Sequence, residues 1–245
     1  MLKRILIVFG ILVVLGSVYA WFYGAQTMFV LEARYLGWKN PVLNMTPQEL
    51  TEPWLARQAL GRVSYFGYEF ETPWTDVDEQ NLPVKGNSVS IHFKSGNQLF
   101  FSVSPARELV NTVLSTANEE GIFPQILGED ALQSDYNLTR RVLDATPGQI
   151  KLSSTRRDAV GTLASLTFKA TVIRPADSGI FSYRVKGFRC IQFGKPEARP
   201  RIFYVQMYSD DRTLTFGFTQ VPGTKAAPLS QADVDSIVRS VRKVG

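Results

Sequence analysis

Two reactive side chains are nearly missing from this sequence: its 245 residues hold one cysteine and one histidine. Cys190 alone closes no internal disulfide. The common zinc sites need several Cys or His ligands and are excluded with it. No Gly-x-Ser-x-Gly elbow, no Gly-x-x-x-x-Gly-Lys loop and no Gly-x-Gly-x-x-Gly opening a helix occurs, so no motif for a serine nucleophile or a phosphate cradle is present. No catalytic residue, metal or cofactor is expected on these grounds. Internal repeats and low-complexity tracts are absent too, which sets solenoids and arrays aside. Positive charge is thinly spread: the formal charge is +5, Lys3 and Arg4 supply two of it, and the rest lies in pairs such as Arg140-Arg141 and Arg156-Arg157. Nucleic-acid binders concentrate such charge in a stripe, so none is expected as a partner.

What the chain does have is one long uncharged run. Ile5 to Tyr23 is nineteen residues, twelve of them Leu, Ile, Val or Phe, preceded by Lys3-Arg4. A hydrocarbon core of ~30 Å needs about 20 apolar residues in a helix. At ~0.3–0.6 kcal/mol per large apolar residue the insertion gain is roughly 4–7 kcal/mol, with no buried charge against it. A transmembrane helix over 5–25 is expected, with Trp21, Tyr23 and Trp38 at or beyond its far end. The positive-inside rule puts residues 1–4 in the cytoplasm and the rest outside, on the inner membrane of a cell envelope. The alternative is a secreted protein cleaved near Ala20, where Val18-Tyr19-Ala20 is a passable small-residue site. Trp21 and Phe22 prolong the apolar run past that site and favour the uncleaved anchor.

Beyond the run, composition is that of an ordinary globular domain, 44% hydrophobic and 20% charged. The remaining ~220 residues suffice for one α+β domain with a sizeable core. We expect a juxtamembrane helix and linker over 26–61 and the domain over 62–245. Thr46-Pro47-Gln48-Glu49 has the form of a capping box opening a short helix. Val63–Glu71 reads as one aromatic-rich strand. Ser88–Lys94 and Gln98–Val103 alternate apolar and polar residues around Gly96-Asn97, a two-residue hairpin loop. Apolar spacing predicts a helix over Pro105–Glu119, two helical pieces split near Ser134-Asp135, and a further helix after Thr155. Four strands follow: Ile180–Val185, Phe188–Phe193, Ile202–Tyr208 and Thr213–Thr219. The capping box Ser230-Gln231-Ala232-Asp233 then opens a C-terminal helix over Gln231–Arg242. The expected architecture is an antiparallel sheet with the helices Pro105–Glu119 and Gln231–Arg242 packed on it.

Candidate site residues are few. His92 alternates with Ser90 and Lys94, which puts it on the polar face of its strand, where a solvated histidine is the plain reading. Asp76-Val77-Asp78-Glu79 lacks the loop spacing and distal glutamate of a calcium site. The most distinctive string, Val185 to Pro196, sets Phe188, Arg189 and Phe193 beside two glycines. A ligand groove lined by these residues is one reading; a strand with a bulge at Gly187 and a turn at Gly194 is the other. Cys190, inside the string, reads as a small buried thiol.

The order of elements carries a resemblance. A strand ending in Glu71-Thr72-Pro73-Trp74, a meander, a late hairpin and an amphipathic C-terminal helix resemble the PsbP-like α+β domains. They also resemble uncharacterised bacterial single-pass membrane proteins, over Arg62–Gly245 in both cases. The resemblance implies a non-catalytic accessory or binding domain and transfers no site residues. The function expected is therefore an anchored extracytoplasmic interaction module with the lipid bilayer and an envelope protein as partners. A hydrolase with a site assembled from dispersed residues, and a tether binding anionic membrane surface, are the alternatives.

Overall fold

The computed structural model describes residues 23–50, 60–78, 83–116, 124, 127–172, 179–195, 203–221 and 229–244. Of the transmembrane helix expected over 5–25, residues 5–22 lie outside them. Among the described residues, no helix is long and apolar enough to cross a membrane.

The chain enters through helix α1 (23–39) and a 3-10 turn, Pro41–Asn44. Strands β1 (Gln48–Glu49), β2 (Gly61–Tyr65), β3 (Tyr68–Thr72), β4 (Val84–Lys85), β5 (Ser88–His92) and β6 (Asn97–Pro105) follow. The helical part comprises α2 (Glu108–Thr116), α3 (Asp135–Asp144) and α4 (Arg156–Val172). Strands β7 (Ile180–Val185), β8 (Phe188–Phe193), β9 (Phe203–Tyr208) and β10 (Arg212–Gln220), helix α5 (Gln231–Ser240) and strand β11 (Arg242–Lys243) complete it. The fold is α+β, with an eight-stranded sheet ordered β1-β7-β8-β9-β10-β6-β5-β4 and a second sheet ordered β11-β3-β2.

The large sheet is mixed rather than purely antiparallel, because β1 joins β7 in parallel. This corrects the helix expected from Thr46: Gln48 and Glu49 are extended, and the Leu50 amide donates to the Ser182 carbonyl. An open edge on β7 outweighs a local capping preference there. Residues 51–59 of that expected helix lie outside the described part.

The second sheet comes from a turn the sequence reading missed. Phe66 and Gly67 both have positive φ (54° and 78°), and Tyr65 pairs with Tyr68. The stretch Val63–Glu71 is therefore a tight hairpin instead of one strand. Lys186-Gly187 makes the same kind of turn, φ 44° and 86°, with Val185 opposite Phe188, so Gly187 is a turn residue and forms no bulge. Between β5 and β6 the loop is the three-residue Lys94–Gly96, since Phe93 and Asn97 share a hydrogen bond and Gly96 takes φ 101°. A three-residue loop closing on a glycine is a standard hairpin solution.

Alternation along the strands gives each face of the large sheet its own cover. On one face Leu99, Phe101, Val205, Met207, Cys190, Phe216 and Phe218 meet Val63 and Phe70 of the small sheet and Val234, Ile237 and Val238 of α5. Phe70 wedges edge-on against Phe101 and Phe216, with ring centroids at 5.1 and 5.2 Å. Such pairs add ~0.5–1.5 kcal/mol beyond the area they bury. Ser230 accepts from the Asp233 amide, and Asp233 returns the bond, as the capping box requires. On the other face Ile180, Ile191, Phe193 and Tyr208 pack against Leu143 of α3. Helix α2 starts at Glu108, later than expected, because β6 runs through Pro105. It packs through Val110 on α3 and α4 and does not lie on the sheet.

Cover on this second face stops partway across. Over β5, β6 and β10 it is polar and half-exposed, presenting Ser90, His92, Gln98, Ser102, Thr215 and Thr219. Two aromatic rings, Tyr204 and Phe100, close over Gly217. A Cβ at that glycine would stand 2.9 Å from Tyr204 Cε1 and 3.3 Å from Phe100 Cβ. Gly217→Ala is expected to push the Tyr204 ring outward and cost about 1 kcal/mol, net of the strand preference for alanine. A lower urea midpoint with unchanged slope is the readout.

Candidate functional site

Where helical cover ends, the sheet register assembles a row of polar side chains. Arg184 pairs with Arg189, Arg189 with Tyr208, Tyr208 with Thr213, and Thr213 with Ser104. Directly opposed residues share a face, with Cβ atoms about 4.5–5.5 Å apart. Two arginines thus stand opposite each other, an arrangement that by itself opposes pairing. Among the described residues, neither has a carboxylate partner within ion-pair distance.

Arg189 is held in place by its neighbours on α3. Its guanidinium carbon lies 4.3 Å from the Tyr136 ring centroid, and Nη1 donates to Asn137 Oδ1 at 3.3 Å. Tyr136 meets Tyr208 edge-on at 5.6 Å. The Tyr208 hydroxyl bonds Thr139 Oγ1 and Gln206 Oε1, and burial pushes its phenol up, so it stays a neutral donor. Across the row, Arg107 adopts φ 64°, a left-handed conformation costing a non-glycine residue roughly 1–2 kcal/mol. Its Nη1 donates to the Gln133 carbonyl at 2.9 Å. The corner is fixed twice: the Ala106 amide donates to the Asp211 carbonyl, and buried Asp135 accepts from the Val110 amide, capping α2 from α3.

These groups line a pocket of about 130 Å³, with Arg107, Arg189, Tyr136, Tyr208 and Thr213 on its walls and the carboxylates of Asp135 and Asp210 at its rim. Asp135 Oδ1 accepts from the Val110 amide, and Arg107 and Arg189 each spend one Nη1 on a neighbour, which leaves further guanidinium N–H groups beside the Asp210 carboxylate. A shallower cleft of about 580 Å³ lies on the far side of α3. In it Arg140 pairs with Asp144 at 2.9 Å and donates to Ser182 Oγ at 2.9 Å. The Asn137 side chain lies between the two cavities, donating to the Asp130 carbonyl while accepting from Arg189.

The residues singled out from sequence are not brought together. Arg189 is in the pocket. Phe193 shares its face but is buried under α3, in contact with the Leu143 cluster. Phe188 points to the opposite face and packs on the core beneath α5. His92 lies on the open half of the sheet opposite Gln98, four strands from β8, or about 19 Å. Cys190 is fully buried, as read, and burial pushes its thiol up. Among the described residues, no cluster of three or more His, Cys, Asp or Glu is placed to hold a metal ion.

Fold and site together define an α+β domain with a two-sided sheet, one face half covered, and an arginine-lined step where the cover ends. No family model matches the chain, and no curated protein or solved structure matches it.

Proposed function

We propose that this chain is a membrane-anchored extracytoplasmic interaction module that grips an acidic group of its ligand at the arginine step. Ile5–Tyr23 is its anchor, with Lys3 and Arg4 on the cytoplasmic side. The observation that carries the reading is the Arg184–Arg189 pair: two like charges opposed across strands, without carboxylate partners among the described residues. Such a pair is relieved by a bound anion, and guanidinium forks suit carboxylate or phosphate oxygens. Arg107, in a strained backbone conformation, lines the pocket together with Arg189, and Arg184 stands beside Arg189 on the neighbouring strand. The flat polar face over β5, β6 and β10, with Phe100 and Tyr204 at its centre, adds contact area beside the pocket. The PsbP-like order of elements favours the same accessory role.

The test is co-purification of the full chain from detergent-solubilised membranes, with Arg189→Ala and Arg184→Ala beside the parent. Hydrogen bonds to charged groups contribute about 1.5–3 kcal/mol, so each variant should retain its ligand at least tenfold less well. The melting temperature should stay within a few degrees. Equal recovery with all three chains would remove the arginine step from the function. Turnover in an ester, glycoside and phosphate screen would replace the module with a hydrolase.

A further inference from the structure

Helix α1 is amphipathic in an unusual sense, with an apolar stripe on each of two sides. Its inner side is in the core: Val30 and Ala33 are buried against Leu43, Ala145, Ile150, Ala159 and Leu166. Its outer side carries Met28, Leu31, Tyr35 and Trp38, exposed to 65, 56, 54 and 81%. At 100° per residue these four fall within about 80° of arc, on roughly the opposite side from Val30 and Ala33. Their 3-4-3 spacing makes one continuous line. Single exposed apolar residues need no explanation, but four aligned on one helix mark a contact surface.

We infer that this outer stripe of α1 lies on the bilayer surface, its side chains at the boundary of headgroups and acyl chains. The inference rests on Ile5–Tyr23 being an anchor, since that run reaches the first described residue of α1. A 17-residue helix is about 25 Å long, so an anchor there holds all of α1 within reach of lipid. The stripe has the chemistry of the interface: Trp and Tyr are the rings that favour the headgroup level, and Leu and Met reach below it. Arg34 and Lys39 flank the stripe on its two sides, placed to snorkel toward anionic phosphates, and the chain as a whole carries +5. Glu32 is the one acid near it. Lys39 sits over the Tyr35 ring at 5.9 Å, which keeps the ammonium beside the stripe rather than across the helix. A second copy is a poorer occupant: in a parallel pair along this line Arg34 would face Lys39 of the partner helix, like against like.

The experiment places a nitroxide, one at a time, at positions 28, 31, 32, 35 and 38 of the full chain. The protein is reconstituted in vesicles of phosphatidylcholine and phosphatidylglycerol. Native Cys190 is fully buried, so the label goes to the introduced thiol. Accessibility to oxygen should exceed accessibility to a water-soluble nickel complex several-fold at 28, 31, 35 and 38. The order should invert at 32. Nickel-accessible labels along the whole stripe would overturn the contact, as would spin–spin broadening that signals a second copy. Alkaline carbonate separates the two hypotheses. Protein stripped from the vesicles refutes the anchor, and protein retained with water-exposed stripe labels refutes the lipid contact alone.

Discussion

Lys169→Met is expected to destabilise the domain by about 3–5 kcal/mol, because buried carbonyls left without a donor cost ~1–3 kcal/mol each. Lys169 projects from α4 into the interior and is fully buried. Its Nζ donates to the carbonyls of Leu143 and Ala145, both at 2.8 Å, and to those of Leu43 and Met45. The first two are orphan carbonyls at the C-terminal end of α3, where a cation is favoured. The other two close the 3-10 turn after α1. One ammonium thus ties three segments together at the point where α1 docks. Burial lowers its pKa to about 8, opposed by the nearby Asp144 charge, so the group keeps its proton at neutral pH. Methionine matches the length and supplies no donor, leaving four inward carbonyls without their shared partner. In a domain of this size each kcal/mol is worth ~2–4 °C, so the melting temperature should fall by about 10 °C. A fall under 2 °C would mean that water replaces the ammonium without loss.

Asp235→Asn should act in the opposite direction and stabilise the domain at pH 7 by about 1–3 kcal/mol. Asp235 is buried on α5 and accepts from Gln231 Nε2 at 2.8 Å, within a network that runs through Gln192 to the Tyr183 hydroxyl. Burial raises its carboxyl to about 6, with the Gln231 hydrogen bond and the Arg239 charge pulling the other way. A folded pKa above the unfolded value of 3.8 means that the folded state takes up the extra proton. This contribution to stability is fully present below pH 3.8 and is lost as pH rises through 6. Across that window the parent should therefore lose up to about 3 kcal/mol from this group. Asparagine keeps the acceptor for Gln231 and carries no charge, so the variant should lack that slope. Urea titrations at pH 4, 5, 6 and 7 decide it. A variant less stable than the parent at pH 7 would show that the carboxylate charge is used in the fold.

The sequence disclosed what depends on neighbours along the chain. The four strands β7 to β10, the split at Ser134 and the Ser230 capping box are local patterns, and the structure has each of them. What escaped depends on distant partners or on one dihedral. Nothing near Gln48 signals that a parallel place on β7 awaits it. Phe66-Gly67 turns the chain without a polar residue at its first central position, so the aromatic run hid the hairpin. The arginine step was obscured by a single reading at Gly187. Taken as a bulge, that glycine leaves the register of β8 undefined. Taken as the second residue of a two-residue turn, it sets Val185 against Phe188 and Arg184 against Arg189 at once. Arg107, Tyr136 and Tyr208 reach the pocket only through tertiary packing, and no spacing in the chain announces them.

The ends of the large sheet carry a consequence for how the domain behaves when crowded. Among the described residues, its two outermost strands, β1 and β4, are two residues each, far shorter than the strands they flank. Lys85 and Arg184 add charge along those margins. A short charged border gives an incoming chain little backbone to template on, which guards a sheet of eight strands against polymerising through its sides. The same border disfavours growth by an added strand at those two ends, and the broad half-covered face with its arginine step is the part of the sheet left open.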